Sequence, residues 1–287
     1  MAIAFEALHA TVGVEVKGVD LARGVAPEQT AGILEQLGKR GVVVLRGQRI
    51  DDGELVTFGR GFGDLEVLPE PEKRDGAFPE IFALTNVRPD GDLVDFDETQ
   101  SVFLRGTQRW HTDSSYREIP CLATMLYGIE VPSSGGQTQF ADMCEAYENL
   151  PATLKRSVDS MRVVHSYEYS RSTNPGYMPP MDETEKAKVP PVVHPLVRTH
   201  RDGRKSLYMG THASHIEGQG VEEGRSLLAE LLELATRSEY VYEHEWRADD
   251  LVMWDNRCLL HRASPNFDTA NEARVLHRTV IVGTVPY

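Results

Sequence analysis

Apolar residues recur three and four positions apart in two stretches of the chain and gather into short runs through much of the rest. After Pro27, the residues Ile33, Leu34 and Leu37 keep helical spacing until Gly38 and Gly41 interrupt it. Between Val221 and Arg237, Leu227, Leu228, Leu231, Leu232 and Ala235 form an apolar stripe, the clearest helix in the sequence. Asp142, followed three residues later by Glu145, has the form of a capping box, and Pro151 opens another short helix. Runs of strand character cover Val42 to Leu45, Leu122 to Ile129, Arg162 to His165, Ser206 to Met209, Tyr240 to Trp246, Leu251 to Trp254 and Arg274 to Val282. The turns Pro89-Asp90-Gly91, Ser134-Gly135-Gly136 and Asp202-Gly203 punctuate them. Many short strands with few helices predict a mainly β protein with flanking helices, a double-stranded β-helix (jelly roll) whose barrel mouth is a natural pocket. The helices are expected to be packing elements outside that pocket. No segment repeats at a fixed period, which disfavours a solenoid or propeller.

Composition narrows the function classes. At 287 residues, with 40% hydrophobic and 26% charged positions, the chain is expected to fold as one domain over residues 1–287. A formal net charge of −14 argues against a sequence-independent grip on nucleic acid, and an anionic small substrate must then meet locally placed arginines. The start, MAIAFEALHATVGVEV, lacks the basic region and apolar run of a signal peptide, and no stretch has transmembrane length. A cytoplasmic protein without a membrane partner is the expectation. Cys121, Cys144 and Cys258 are too few and too scattered for a disulfide framework or a thiolate metal site, so a bound metal would need nitrogen and oxygen ligands.

Trp110-His111-Thr112-Asp113 places an imidazole and a carboxylate two positions apart, and in an extended chain both project from the same face. A third ligand must come from elsewhere, and His261 is the best candidate. Two imidazoles and one carboxylate make the facial triad of iron(II) oxygenases, which leaves positions open for a 2-oxo acid and O2. The bare spacing also suits a hydrogen-bonded core histidine. A rival pair, His212 and His215, has no carboxylate at suitable spacing beside it. Further on, Arg274 and Arg278 share one face of an expected strand, while Val275 and His277 point the other way. A buried guanidinium is costly alone and well satisfied by a carboxylate. Two arginines aimed into one barrel therefore imply two anionic ligands, unless they pair with acidic side chains at the surface.

At these residues the sequence resembles the taurine and phenoxyacetate dioxygenase family of iron- and 2-oxoglutarate-dependent enzymes. The resemblance runs from Val16-Lys17-Gly18-Val19-Asp20-Leu21 to Arg278-Thr279-Val280-Ile281. Its specific parts are the His111/Asp113 segment, Gly135-Gly136-Gln137-Thr138, Pro195-Leu196-Val197-Arg198-Thr199-His200, Trp254-Asp255-Asn256-Arg257 and the two arginines. It implies that His111, Asp113 and His261 bind Fe(II), that Thr138 and Arg274 hold the distal carboxylate of 2-oxoglutarate, and that Arg278 binds the acidic group of the prime substrate. Arg274 follows His261 by 13 residues, slightly more than the family pattern, and the loop Ala263 to Ala273 would absorb the difference. The stretches Gly203 to His215 and Leu251 to Arg257 look most like the 2,4-dichlorophenoxyacetate branch. Leu68 stands where taurine enzymes carry a histidine, which suits an aromatic substrate, and His212 falls at a pocket position. Lysines that phenoxyacetate enzymes carry before the first iron ligand are not cleanly matched, since Asp92 stands near one of them. The resemblance implies hydroxylation of a small organic acid such as an aryloxyalkanoate, coupled to decarboxylation of 2-oxoglutarate, in a homo-oligomer. The rivals are a taurine, alkylsulfonate or alkyl sulfate dioxygenase and a jelly-roll protein that binds metal without turnover.

Overall fold

The computed structural model describes residues 3–67, 74–75, 78–88, 90–94, 105–176, 178–264 and 266–287. Leu68 and Pro89 lie outside the described residues. The dominant element is an eight-stranded sheet. Its order is Ala4–Ala7, Val14–Lys17, Val42–Leu45, Leu251–Asp255, Cys121–Glu130, Val275–Val282, Phe78–Thr85 and Arg74–Asp75. All its pairings are antiparallel except that of Val14–Lys17 with Val42–Leu45.

The run Val42-Val43-Val44-Leu45 explains how this sheet is covered. All four residues are fully buried, which a strand achieves only when both of its faces are packed. Val43 and Leu45 face Ile33 and Leu37 of helix Pro27–Arg40 and Leu55, Val56 and Phe58 of helix Asp52–Arg60. Val42 and Val44 face the other way, toward Phe140, Tyr242 and Leu259 of a three-stranded sheet ordered Val241–His244, Thr138–Asp142, Leu259–Ala263. A third core joins that small sheet to helix Val221–Ala235 and to the strands Arg162–His165 and Ala213–Ile216. The result is sheet against sheet with helices outside.

Several elements end where local chemistry stops them. Helix Pro27–Arg40 passes through Gly38 and ends only at Gly41, whose φ of +70° a side-chain-bearing residue rarely adopts. Helix Asp52–Arg60 is not apparent from apolar spacing. It is announced by a reciprocal capping box, in which the Asp51 carboxylate accepts from the Glu54 N–H at 2.8 Å and Glu54 accepts from the Asp51 N–H at 2.9 Å. The expected box at Asp142 is only half formed. Asp142 accepts from the N–H groups of Cys144 and Glu145 without the return bond from Glu145. Among the described residues no helix is long and apolar enough to cross a membrane.

Candidate active site

The inner face of the large sheet is set by alternation. On the paired strands Cys121–Glu130 and Val275–Val282, Leu126 stands opposite Arg278 and Thr124 opposite Val280. On Leu251–Asp255, Trp254 stands opposite Thr124. Arg278 thus shares a face with Thr124, Leu126 and Trp254, turned toward the small sheet. His277 points the opposite way, its Nδ1 at 2.7 Å from Asp52 in the outer helix. The space between the sheets is a cavity of about 210 Å³.

His111, Asp113 and His261 meet on its floor. A backbone bridge closes them together: the His111 N–H donates to the His261 carbonyl at 3.0 Å and the His261 N–H to the His111 carbonyl at 2.8 Å. One ligand atom from each of the three side chains lies within 4.8 Å of the others. His261 Nε2 is 3.6 Å and His111 Nε2 3.9 Å from the Asp113 carboxylate. Nδ1 of His111 lies 2.7 Å from the Arg109 carbonyl and donates to it, which leaves the Nε2 lone pair aimed at the cluster. Burial above all pushes both imidazoles below their ordinary range, so both are neutral and able to ligate. Burial pushes the Asp113 carboxyl up, but its surroundings, the Arg278 guanidinium foremost and the Thr124 hydroxyl with it, hold the group well below the usual carboxylate range. Two neutral imidazoles and a carboxylate converging in a buried site fit a divalent first-row metal.

One expectation about this segment is corrected. His111 and Asp113 do not share the face of a strand: His111 forms only an isolated bridge, and Asp113 already belongs to a turn in which Ser114 has φ of +55°. That turn is pinned from behind by Asn256. Its side-chain oxygen accepts from the Asp113 N–H at 3.2 Å and from Trp254 Nε1 at 3.1 Å. Its amide donates to Thr124 at 2.9 Å, and Thr124 in turn donates to Asp113 at 2.6 Å. The Trp254-Asp255-Asn256-Arg257 motif therefore aims a carboxylate it never touches directly.

The two arginines differ, and the expectation that both lie on one strand is corrected: Arg278 is on strand Val275–Val282, while Arg274 stands just before it, where its N–H is held by Asn86. Arg278 places Nη2 3.0 Å from Asp113, and Asp113 with Cys121 and Glu66 outweighs the burial that would lower its pKa. Arg274 donates through Nε to the Gly136 carbonyl at 3.1 Å and has no acid within ion-pairing distance among the described residues; burial pushes it down to about 10. Gly135 and Gly136, with φ of +79° and +66°, shape the turn that brings this carbonyl to it. A Cβ on Gly135 would lie 2.1 Å from the Asn266 carbonyl oxygen and one on Gly136 2.8 Å from Pro132. Thr138 borders the same end, with Trp246 Nε1 donating to its hydroxyl at 3.0 Å. The loop before Arg274 is clamped by Asn86, whose amide donates to the carbonyls of Thr269 and Glu272 and whose oxygen accepts from the Arg274 N–H at 2.7 Å.

His212 lies on the cavity wall, in contact with Tyr116 and Tyr167 at ring separations of 4.8 and 6.4 Å. Burial pushes it down to about 3, so it is a neutral ring. His215 is turned to Ser214 at 2.6 Å and does not join the cluster.

Known proteins resemble the chain over nearly its whole length. The profile of the family described as taurine catabolism dioxygenase TauD, TfdA family matches residues 4–280. The chain belongs to that family. It is 38% identical to an α-ketoglutarate-dependent 2,4-dichlorophenoxyacetate dioxygenase from Burkholderia sp. (strain RASC), over 99% of this chain and 95% of the relative. It is 36% identical to an (S)-phenoxypropionate/α-ketoglutarate-dioxygenase from Sphingobium herbicidovorans, over 90% and 88%. Among solved structures, AAD-2 in complex with Mn(II) and N-oxalylglycine superposes with a TM-score of 0.90 at 35% identity, covering 100% of this chain and 98% of that one. A taurine dioxygenase from Burkholderia xenovorans superposes with a TM-score of 0.81 at 31% identity, covering 100% and 91%.

This TauD/TfdA dioxygenase carries cavity residues that spacing alone did not single out. Tyr167 and Ser170 come from helix Tyr167–Ser172, so the expectation that all helices lie outside the site is corrected. Glu66 and Arg117 form an ion pair at 3.3 Å on the same wall. Their signal was weak, since each is a single charge outside any motif and they meet from segments 51 residues apart. Thr124 had a readable signal: a hydroxyl in the otherwise apolar run Ala123-Thr124-Met125-Leu126.

Proposed function

We propose that this enzyme hydroxylates a small aromatic carboxylic acid of the aryloxyalkanoate class, with His111, Asp113 and His261 as iron ligands, Thr138 and Arg274 binding 2-oxoglutarate, and Arg278 binding the substrate carboxylate. Its cofactor is Fe(II), with 2-oxoglutarate and O2 as co-substrates. The observation that carries the reading is Arg274, a guanidinium enclosed in the cavity that holds the triad, with no acid of its own among the described residues. An enclosed cation of this kind is satisfied by a carboxylate that arrives with a ligand. The wall fits an aryl group: Leu84, Leu126, Tyr116, Tyr167 and neutral His212 offer an apolar and aromatic surface near Arg278.

When bound, iron and 2-oxoglutarate supply the oxidative chemistry that consumes O2, releases succinate and CO2 and hydroxylates the substrate. The residues of the chain bind and orient. Thr124 and Asn256 hold Asp113, the Arg109 carbonyl fixes the tautomer of His111, and Arg278 sets which substrate carbon lies over the triad. If that carbon bears an aryloxy group, its hydroxylation gives a hemiacetal that collapses to a phenol and a 2-oxo acid. One domain spanning residues 1–287, folded as a double-stranded β-helix and assembled as a cytoplasmic homo-oligomer, completes the proposal; the two facing sheets support the fold assignment. Succinate release with phenoxyacetate, phenoxypropionate, taurine and an alkyl sulfate tests it. Turnover with the aryloxy acids is expected, and turnover with taurine or the sulfate alone would overturn the substrate class.

A further inference from the structure

Behind the His111 segment, on the far side from the triad, lies a second cavity of about 400 Å³. Trp110, Met209, Leu228 and Leu232 give it an apolar floor, and Arg109, Arg225 and Arg262 line it with three guanidinium groups. In a chain of net charge −14, three arginines around one hollow are a local reversal of sign. Two of them lie over rings and are thereby fixed in place: Arg262 is 4.5 Å from the Trp110 ring centre and Arg225 is 5.0 Å from that of Tyr169.

Their acidic neighbours are few and turned outward. Glu222 meets Arg225 at 2.9 Å with its side chain 86% exposed, where an ion pair is worth little. Glu243 is the acid nearest in influence to Arg262, and it is engaged by the Gln139 amide at 2.5 Å, while Arg262 itself donates to the Gln139 oxygen at 2.6 Å. Among the described residues Arg109 is satisfied by oxygens of neutral groups, Thr173 at 3.2 Å and the Ser170 carbonyl at 3.4 Å. No described lining residue of this hollow is acidic.

We propose that this second cavity binds an amphipathic organic anion, a carboxylate or sulfonate with a flat apolar body. Its head group sits among Arg109, Arg225 and Arg262, and its body lies on Trp110, Met209 and Leu232. The occupant sits one residue away from His111, and Thr211 borders both cavities. The proposal is independent of which substrate the active cavity takes.

The probe is 8-anilinonaphthalene-1-sulfonate, titrated by fluorescence into full-length protein whose active cavity is filled with Mn(II), N-oxalylglycine and phenoxyacetate. Saturable binding of one equivalent is expected. The double variant Arg225→Gln/Arg262→Gln should weaken it by about tenfold or more, as loss of charge-assisted contacts does. Ala229→Glu, on the exposed face of the helix at the cavity edge, should weaken it likewise without touching the core. Equal affinity in these variants, the absence of saturable binding, or loss of binding in Arg278→Gln instead would overturn the proposal. Conversion of an oligomer to smaller species by the double variant would assign the arginines to a subunit interface and overturn it as well.

Discussion

At one end of the active cavity Arg278 already has Asp113 at 3.0 Å and Glu66 within electrostatic reach, whereas at the other end the Arg274 guanidinium meets, among the described residues, the Gly136 carbonyl and no acid. The same residue type, once on strand Val275–Val282 and once just before it, is thus prepared for two different tasks. The Arg274 end has no resident anion among the described residues and gains most when a ligand brings one. The Arg278 end is already paired, so the substrate carboxylate proposed to bind there must share a guanidinium with Asp113, the residue proposed to hold the metal. An anion is bound strongly where the protein has left a positive charge unsatisfied, and exchangeably where it has not.

The largest effect expected from breaking this contrast is that of Asp113→Ala. It removes a proposed ligand and frees Arg278 at once, so affinity for Mn(II) or Fe(II) should fall by more than the roughly hundredfold that outer-shell changes cost. Metal titration that shows undiminished binding would refute the ligand assignment. Next, Arg274→Ala should raise KM for 2-oxoglutarate by about a hundredfold, since two charge-assisted hydrogen bonds go, with little change in KM for the aromatic acid. Arg278→Ala should do the reverse, and the opposite outcome in steady-state kinetics would exchange the roles of the two ends. Thr124→Val keeps shape and removes the 2.6 Å bond to Asp113; metal affinity should fall by about tenfold, and an unchanged value would show that Arg278 and Asn256 suffice.

The smallest effect concerns the wall between the ends. His212 has a folded pKa of about 3 against an ordinary 6.5, so below pH 6.5 the unfolded chain takes up a proton that the folded chain refuses. Stability present above pH 6.5 is therefore lost as pH falls toward 3, by at most ~1.4 kcal/mol per unit from this group. His212→Phe should make the acid limb of urea-unfolding stability shallower. An identical pH slope in the variant would show that the ring is not held neutral by burial.

What the sequence made legible was local. Strand Val42–Leu45 and strand Arg162–His165 lie where their runs of β-branched residues put them. The stripe from Leu227 to Ala235 is a helix that ends at Ala235, two residues earlier than expected. Strand Val275–Val282 was readable because alternation sends His277 to Asp52 and Arg278 to Asp113, although it begins one residue later than expected and leaves Arg274 outside. Strand Phe78–Thr85 was missed because its burial does not alternate, and helix Asp52–Arg60 because Gly53 and Gly59 interrupt its apolar spacing. Within the site, the residue types of the triad could be read. The Asn256–Thr124 support could not, because the two side chains are 132 residues apart and meet only through the pairing of their strands.

The reciprocal backbone bridge between His111 and His261, with Asp113 tied to Thr124, separates the frame of the site from its ligand atoms. Two of the three side chains proposed to bind metal stand on segments joined by main-chain bonds, so exchanging either imidazole leaves the joint between the segments in place. Such a substitution is expected to cost metal affinity more than it costs the fold. Heat resistance added by a bound ion then rises by mass action, with the free metal concentration relative to its dissociation constant.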